Sequence, residues 1–129
     1  MGLRDTILAQ RDRKVISVSV PEWPEVGTIH VRSLTGSERD AFEFASSRRL
    51  KAGVLNDNWR AFCVTAFACD EAGETLFTEA DLEQLGKLSA VVLERIRAAG
   101  EKLNLLTDES ISAAAKNSEP SPADTSTSA

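Results

Sequence analysis

The spacing of apolar residues changes along the chain, and each change predicts a different element. At the start, Leu3, Ile7 and Leu8 recur at helical intervals, which predicts a short helix there. Apolar and polar residues then alternate over residues 16–20 and again over residues 28–32. A period of two is typical of a half-buried strand, so two strands are expected.

The two alternating stretches predict a β-hairpin with a long loop. The loop, residues 21–27, contains two prolines, which have no N–H to donate to a neighbouring strand, and a glycine that favours a turn. In the second strand, Ile29 and Val31 share one face, and His30 and Arg32 share the other. Because a two-stranded hairpin is marginal alone, we expect helices to cover its apolar face.

Capping signals predict where those helices begin. Thr35 and Glu38 match a capping box, and the helix that they open is expected to run toward Leu50. Either Asp57 or Asn58 can cap the next helix. That helix carries an apolar stripe with core-facing spacing, formed by Trp59, Phe62, Cys63, Ala66 and Phe67. Residues 62–67 of that helix also contain Val and Thr, so a strand is the alternative there, although helix is favoured.

Three further helices are expected after this segment. Thr78 is placed to cap a short helix that ends near Gly86, and Ser89 to cap the longest regular segment. A last short helix is expected from Thr107. The stripe of the segment after Ser89 consists of Val92, Leu93, Ile96, Ala99, Gly100 and Leu103.

The composition changes near the end of the chain. From Asn117 onward no large apolar side chain remains to offset the entropy of ordering the backbone. The sequence therefore predicts one globular domain over residues 1–116 and a disordered Ser/Thr/Pro-rich tail over residues 117–129. The fold class is α+β and mainly α, with an N-terminal β-hairpin packed on a small bundle of four to five helices.

Charge and composition exclude some classes of function. The chain has 129 residues and a net charge of −5, which argues against nucleic-acid binding because that usually requires a basic face. Five Phe, two Trp and no Tyr supply few rings for stacking bases. No apolar run approaches the ~20 residues of a membrane span, and no signal peptide is recognised. We expect no membrane association and a cytoplasmic location.

The sequence predicts no catalytic residue, cofactor or metal site. His30 is the one histidine and has no neighbouring ligand type, so a solvated side chain is expected. Cys63 and Cys69 lie six apart in a segment predicted as helix, on different faces, and are expected to be buried free thiols. The acidic stretch 70–74 misses the spacing of a calcium-binding loop and predicts a turn instead.

Four residues are candidates for contact with a partner. Trp23 lies between two prolines and is either folded back on the hairpin or an exposed anchor. Arg48 and Arg49, with Lys51, form either a solvated helix end or a docking patch. Trp59 belongs to a stripe that either is core or lines a groove.

A series of segments, in the same order over nearly the whole chain, resembles the tail assembly chaperones of long-tailed bacteriophages and prophages. The segments are Leu3-Arg4-Asp5 with Ile7-Leu8, Val18–Trp23, Val31–Glu43, Cys69–Gly73 with Leu76-Phe77, Leu85–Ser89, Leu103–Leu106 and Lys116–Pro120. The resemblance implies a non-enzymatic protein that binds the tape measure protein before the tail tube polymerises and that is absent from the virion. It places the protein in the cytoplasm of the infected or lysogenic bacterial host.

The resemblance also implies two products of one gene. Many such chaperones are made in a short form and a longer form through a programmed ribosomal frameshift, and the longer form would contact the tail tube protein. Ala115-Lys116-Asn117 can be encoded as GCA AAA AAC, which contains the slippery sequence A AAA AAC. Self-association stays an open alternative.

Two other hypotheses come from different classes of protein. One is a structural tail or head–tail connector protein that stays in the particle. The other is a small regulator that binds nucleic acid, which the acidic total disfavours.

Overall fold

A three-stranded antiparallel sheet and five helices, one of them with a preceding 3₁₀ turn, are found in residues 2–106, the part of the chain that the computed structural model describes. The predicted α+β, mainly α fold is confirmed. The helix predicted from Thr107, the domain boundary at 116 and the tail over 117–129 lie outside the described residues. The elements are α1 (Leu3–Leu8), β1 (Val15–Val20), β2 (Gly27–Arg32), α2 (Gly36–Lys51), α3 (Trp59–Phe67), β3 (Ala68–Cys69), the 3₁₀ turn (Glu79–Asp81), α4 (Leu82–Leu85) and α5 (Ala90–Leu103).

The sheet has one strand more than the sequence predicts. β1 and β2 form the predicted hairpin, in a register that pairs Val20 with Gly27. β3 follows α3 directly and pairs with the other edge of β2, with Cys69 opposite His30. The chain turns from helix to strand at Ala68, which has an extended backbone with φ −72° and ψ 134°. The prediction that Cys69 lies in a helix was therefore wrong, although both cysteines are buried and free as expected.

Most of the predicted helix starts are confirmed. The Thr35 hydroxyl accepts from the Glu38 N–H at 3.2 Å, and the Glu38 carboxylate accepts from the Thr35 N–H at 2.9 Å. Thr78 is part of a second capping box, and Ser89 accepts from the Val92 N–H. Asn58 precedes α3 but makes no side-chain cap, because its backbone is left-handed with φ 52°. The helix after Ser89, with 14 residues, is shorter than α2 with 16, so the prediction that it is the longest was wrong.

The core lies between one face of the sheet and helices α2, α3 and α5. Val18 and Val20 point into it as predicted, but Ile16 is exposed near the free end of β1. α3 and α5 pack closely where Gly100 faces the ring of Phe67. The buried apolar side chains are Val18, Val20, Ile29, Val31, Phe42, Ala61, Phe62, Cys63, Val64, Phe67, Ala68, Leu85, Val92, Leu93, Ile96 and Leu106.

α2 is attached to the core through an aromatic cluster. The Phe42 ring lies 5.5 Å from the Phe62 ring, 5.7 Å from Phe67 and 6.1 Å from Trp59, measured between centroids. These distances lie within the range of favourable ring pairs. Phe42 therefore joins α2 to three aromatic rings of α3.

A charge network around one buried arginine joins the sheet to the start of α2. Arg32 was predicted on the polar face of its strand, but it is only 8% exposed. Its guanidinium donates to the Ala66 carbonyl at 3.0 Å and to the Glu38 carboxylate at 3.0 Å. Arg13 donates to both oxygens of the same carboxylate, each at 2.8 Å. The network satisfies the polar groups that burial of Arg32 removes from water.

Asn104, at the end of α5, makes hydrogen bonds to the same junction between β2 and α2. Its side-chain oxygen accepts from the Leu34 N–H at 2.7 Å, and its side-chain N–H₂ donates to the Gly100 carbonyl at 2.9 Å. The Arg39 guanidinium donates to the Asn104 carbonyl at 3.3 Å. The end of α5 is thereby fixed to the connection between β2 and α2.

We predict that Gly100→Ala destabilises the fold. An added Cβ would lie 2.2 Å from Cδ2 of Phe67, a ring packed against Phe42, and such overpacking costs about 1–3 kcal/mol. Gly36→Ala is the matched control, because the Cβ position of Gly36 is open and lies in the first turn of α2. Urea unfolding should show a loss for Gly100→Ala and no loss for Gly36→Ala. Equal stability of the two variants would contradict the close packing of α3 and α5.

We also predict that the Glu38 network gives a stability that depends on pH. The hydrogen bonds from Arg13, with further help from the Thr35 N–H and Arg32, lower the pKa of Glu38 from 4.5 to about 2. The stabilisation is present above the unfolded pKa and is lost as pH falls toward the folded pKa. The carboxylate is partly exposed to solvent, so we expect Glu38→Gln to cost roughly 2 kcal/mol at pH 7.

That cost should shrink between pH 5 and pH 2 when urea unfolding is measured across this range. Glu25→Gln is the control, because Glu25 is an exposed acid of the hairpin loop with no ion pair in the described residues. A cost for Glu38→Gln that does not change with pH would argue against the network.

Candidate functional surface

The four residues that the sequence suggests for partner contact differ in their burial and contacts. Trp59 is half-buried at the start of α3, with its ring 5.4 Å from the Phe62 ring. Arg49 lies over the same Phe62 ring at 4.8 Å and donates to the carbonyls of Val54 and Asp57. Arg48, next to it in the last turn of α2, is exposed. Arg49 therefore fixes the end of α2 to the following loop, and Arg48 is left toward solvent.

Trp23 adopts the folded-back alternative. It is partly buried and packs against the core. Its backbone carbonyl accepts from the N–H groups of Val26 and Gly27, at 2.8 and 2.9 Å. Arg95 of α5 holds the same loop by donating to the Glu22 carboxylate at 2.8 and 2.7 Å. The loop is thus a folded corner of the domain.

Two clefts are lined in part by α4 and another by the turn that follows it, and we name the lining residues of all three the α4 surface. The first, about 270 Å³, is lined by Ala45, Arg48, Arg49, Ala52, Val54, Glu79 and Leu82. The second, about 180 Å³, is lined by Asn56, Asn58, Trp59, Arg60, Ala61, Gly86, Leu88, Ala90 and Leu93. The third, about 230 Å³, is lined by Phe77, Asp81, Gln84, Leu85 and Leu88.

The α4 surface brings together three of the four candidates. Arg48 and Arg49 line the first cleft, and Trp59 lines the second. Trp23 lines none of these three clefts. α4 separates the first cleft from the third, since Leu82 lines one and Leu85 the other.

Leu88 is the residue of this surface that the sequence analysis missed. It lies in the turn between α4 and α5, is 44% exposed, and lines both the second and the third cleft. Leu76 and Val91 are also exposed and apolar, but neither lines one of the three clefts. One signal in the sequence could have identified it. Leu88 is an apolar residue between Lys87 and Ser89, in a polar turn, and it belongs to neither of the neighbouring helical stripes.

The segment that carries α4 is strongly acidic. Between Arg60 and Lys87 there are six carboxylates and no basic side chain. Within residues 2–106 none of the six takes part in an ion pair. The six are Asp70, Glu71, Glu74, Glu79, Asp81 and Glu83. Unpaired charge of one sign on a local surface attracts a partner of opposite sign.

The acidic turn at Asp70 has a structural role. One oxygen of the Asp70 carboxylate accepts from the N–H groups of Ala72 and Glu74, at 2.9 and 3.0 Å. Gly73 follows with φ 87°, in a position where an added Cβ would meet the Arg13 side chain. The predicted turn is confirmed.

The metal-ligating and thiol side chains of the described residues form no metal cluster, and both thiols are buried. In residues 2–106 no group of three His, Cys, Asp or Glu side chains is placed to hold a metal ion. Burial raises the pKa of both Cys63 and Cys69, which disfavours their reactive thiolate forms. His30 is half-buried, and its Nδ1 lies 3.4 Å from the Ser17 hydroxyl in an exposed contact. In this part of the chain, no helix has the length and apolar character needed to cross a membrane.

α1 presents a second apolar surface. Leu3, Ile7 and Leu8 are each more than half exposed, and α1 has no buried residue. The predicted helix is confirmed, and its apolar side faces away from the described core. We name these three residues the α1 surface.

Comparisons with known proteins place the fold. No family model matches the chain, and no curated protein matches it. Among solved structures, the chain is similar to the tail assembly chaperone of bacteriophage HK97, with 20% identity and a TM-score of 0.54. The match covers 82% of this chain and 96% of that one. The chain therefore shares the fold of that chaperone.

Proposed function

We propose that the protein is a phage tail assembly chaperone that binds the tape measure protein and keeps it soluble during tail morphogenesis. The observation that carries the proposal is the shared fold, which extends over nearly the whole length of the HK97 chaperone. The ordered series of segments described above supports the same family independently of the coordinates. Fold alone does not determine function, so the proposal also needs a suitable surface.

The α4 surface is suited to such a client. A tape measure protein is a long, largely helical chain with apolar stripes that would aggregate if they stayed exposed. Clefts of 180–270 Å³ are smaller than the roughly 300–1,000 Å³ of small-molecule pockets, but they can each accept a side chain of a docked helix. The net charge of −5 favours solubility of the complex.

The proposal includes several finer statements. The protein acts without catalysis and without a cofactor, in the cytoplasm of the infected or lysogenic host. It is absent from the mature virion. A longer frameshifted form contacts the tail tube protein, while the short form binds the tape measure protein.

Co-expression with a tape measure fragment tests the central proposal. We expect the fragment to be found in the soluble fraction with the protein and in the pellet without it, because covered apolar stripes cannot aggregate. The control is the overpacked Gly100→Ala variant, whose reduced stability should reduce the soluble yield. Equal soluble yield of the fragment in the presence and absence of the protein would refute chaperone activity.

Mass spectrometry of purified particles separates the chaperone from the structural alternative. A chaperone leaves before the particle is complete, so we expect no stoichiometric copy in the virion. A stoichiometric copy would favour the structural tail or head–tail connector protein.

The gene sequence tests the frameshift. We expect Ala115-Lys116-Asn117, outside the described residues, to be encoded as GCA AAA AAC, and a longer product to be detected by a C-terminal tag in the −1 frame. A Lys116 codon AAG, with no other slippery heptamer before the stop codon, would rule the frameshift out.

A further inference from the structure

We propose that the α4 surface binds a helical segment whose apolar stripe is flanked by Lys or Arg, with Leu88 as the ridge between two anchor clefts. The inference rests on the proposed function and deepens it, because it assigns the client-binding face and the kind of helix that this face selects. It concerns the second and third clefts, which share Leu88 as a lining residue.

Apolar side chains lie on both sides of Leu88. On one side, Phe77 and Leu85 line the third cleft, and on the other, Trp59 and Leu93 line the second. Leu88 itself is 44% exposed, whereas the large apolar side chains on either side of it are half-buried or buried. Apolar side chains one helical turn apart on a partner can enter the two clefts and cover Leu88 between them. Burial of such an exposed leucine contributes favourably to binding.

The charges near the third cleft favour a helix that is flanked by basic residues. Three of the six carboxylates described above, Glu79, Asp81 and Glu83, belong to the residues that form α4 and the turn before it, and none of the three has an ion-pair partner in residues 2–106. Asp81 lines that cleft directly, and Glu79 and Glu83 lie on the adjoining turns. Arg60, which lines the second cleft, is already paired with Glu94 at 2.9 Å. Lys87, beside Leu88, is the one basic side chain in residues 61–88, and the three carboxylates outnumber it. A stripe flanked by basic residues would therefore be attracted here, and a stripe flanked by acids repelled.

The framework behind the clefts is firm enough to hold them open. Leu85 and Leu93 are buried in the core, and Trp59 packs on Phe62 and Phe42. The turn after α4 is held by backbone hydrogen bonds from Gly86 to Leu82 and from Leu88 to Leu85, both at 3.0 Å. Because the clefts are built on these elements, a partner would find them already formed.

The experiment measures binding of two designed peptides to the full chain. Each peptide is a helix of about 18 residues with leucines one turn apart, which gives a stripe of about 27 Å. One has lysines beside the stripe, and the other has glutamates at the same positions. In fluorescence anisotropy we expect the lysine peptide to bind at least about tenfold more tightly, with a difference that shrinks as salt is raised. Equal affinity for the two peptides would overturn the charge selection.

Two substitutions locate the site. Leu88→Asp should weaken binding of the lysine peptide about tenfold or more, because it places an unpaired charge between the clefts. Val26→Asp is the matched control, since Val26 is 50% exposed in the hairpin loop, away from the clefts, and should leave binding unchanged. If Leu88→Asp unfolds by circular dichroism, Leu88→Ser serves instead. Unchanged binding by a folded Leu88 variant would refute the site.

The role of the carboxylates is tested by removing their charge. Glu79→Gln with Glu83→Gln should reduce the preference for the lysine peptide without changing the fold, because both side chains are exposed. Glu25→Gln, in the hairpin loop, is the control with one exposed acid removed elsewhere. A preference that survives the double substitution undiminished would contradict the role of the acidic segment.

A second copy of the chain is the competing occupant, through its α1 surface. If Leu88→Asp and Ile7→Asp both convert an oligomer to a monomer in light scattering, the clefts are filled by another copy and the proposal is overturned. The co-expression assay keeps the two proposals distinct. If Leu88→Asp protects the tape measure fragment as well as the unmodified chain does, the chaperone function stands and the α4 site fails. If the peptides bind as expected but the tape measure fragment is not protected, the α4 site stands and the chaperone function fails.

Discussion

The carboxylate of Glu38 is the point on which the arrangement of the domain depends. It accepts from two arginines that come from different parts of the chain, Arg13 before β1 and Arg32 at the end of β2, and it completes the capping box with Thr35. The same Arg32 reaches the end of α3 through the Ala66 carbonyl. A buried arginine is costly unless every donor has a partner, so these contacts must form together.

The position of the α4 surface follows from this junction. Once α2 starts at Thr35, its buried Phe42 meets Phe62 of α3, and the last turn of α2 places Arg49 over the same ring. α4 then packs against α3 with buried Leu85, which leaves Leu88 at the surface. Contacts through α2 and α3 therefore connect the charge network to the clefts.

Local signals predicted much of the fold. The capping box at Thr35, the N-cap at Thr78 and the stripe after Ser89 are properties of neighbouring residues, and each was found as expected. The alternation of the hairpin was found except at Ile16, which is exposed. β3 was not predictable in this way, because two residues carry no period and the strand exists only through pairing with β2. Burial of Arg32 was missed for the same reason, since its partners lie far along the chain.

The candidate site shows the same limit. Arg48 and Arg49 were recognised from their charge, and Trp59 from its place in an apolar stripe. Nothing in the sequence shows that the three residues line clefts of the same surface as Leu88. Trp23 looked equally suited to contact a partner, yet the loop folds it onto the core. Clefts are formed by residues from several elements, so tertiary packing decides which of the candidate residues share one.

The assignment of the client-binding face is the central claim of this account, and hydrogen exchange tests it most directly. The amide exchange of the full chain would be compared with and without a soluble tape measure fragment. Binding at the α4 surface predicts slower exchange in residues 77–91, with little change in the hairpin loop 21–26 and in α1. Protection confined to α1 or to the hairpin loop, with no change around Leu88, would contradict the account.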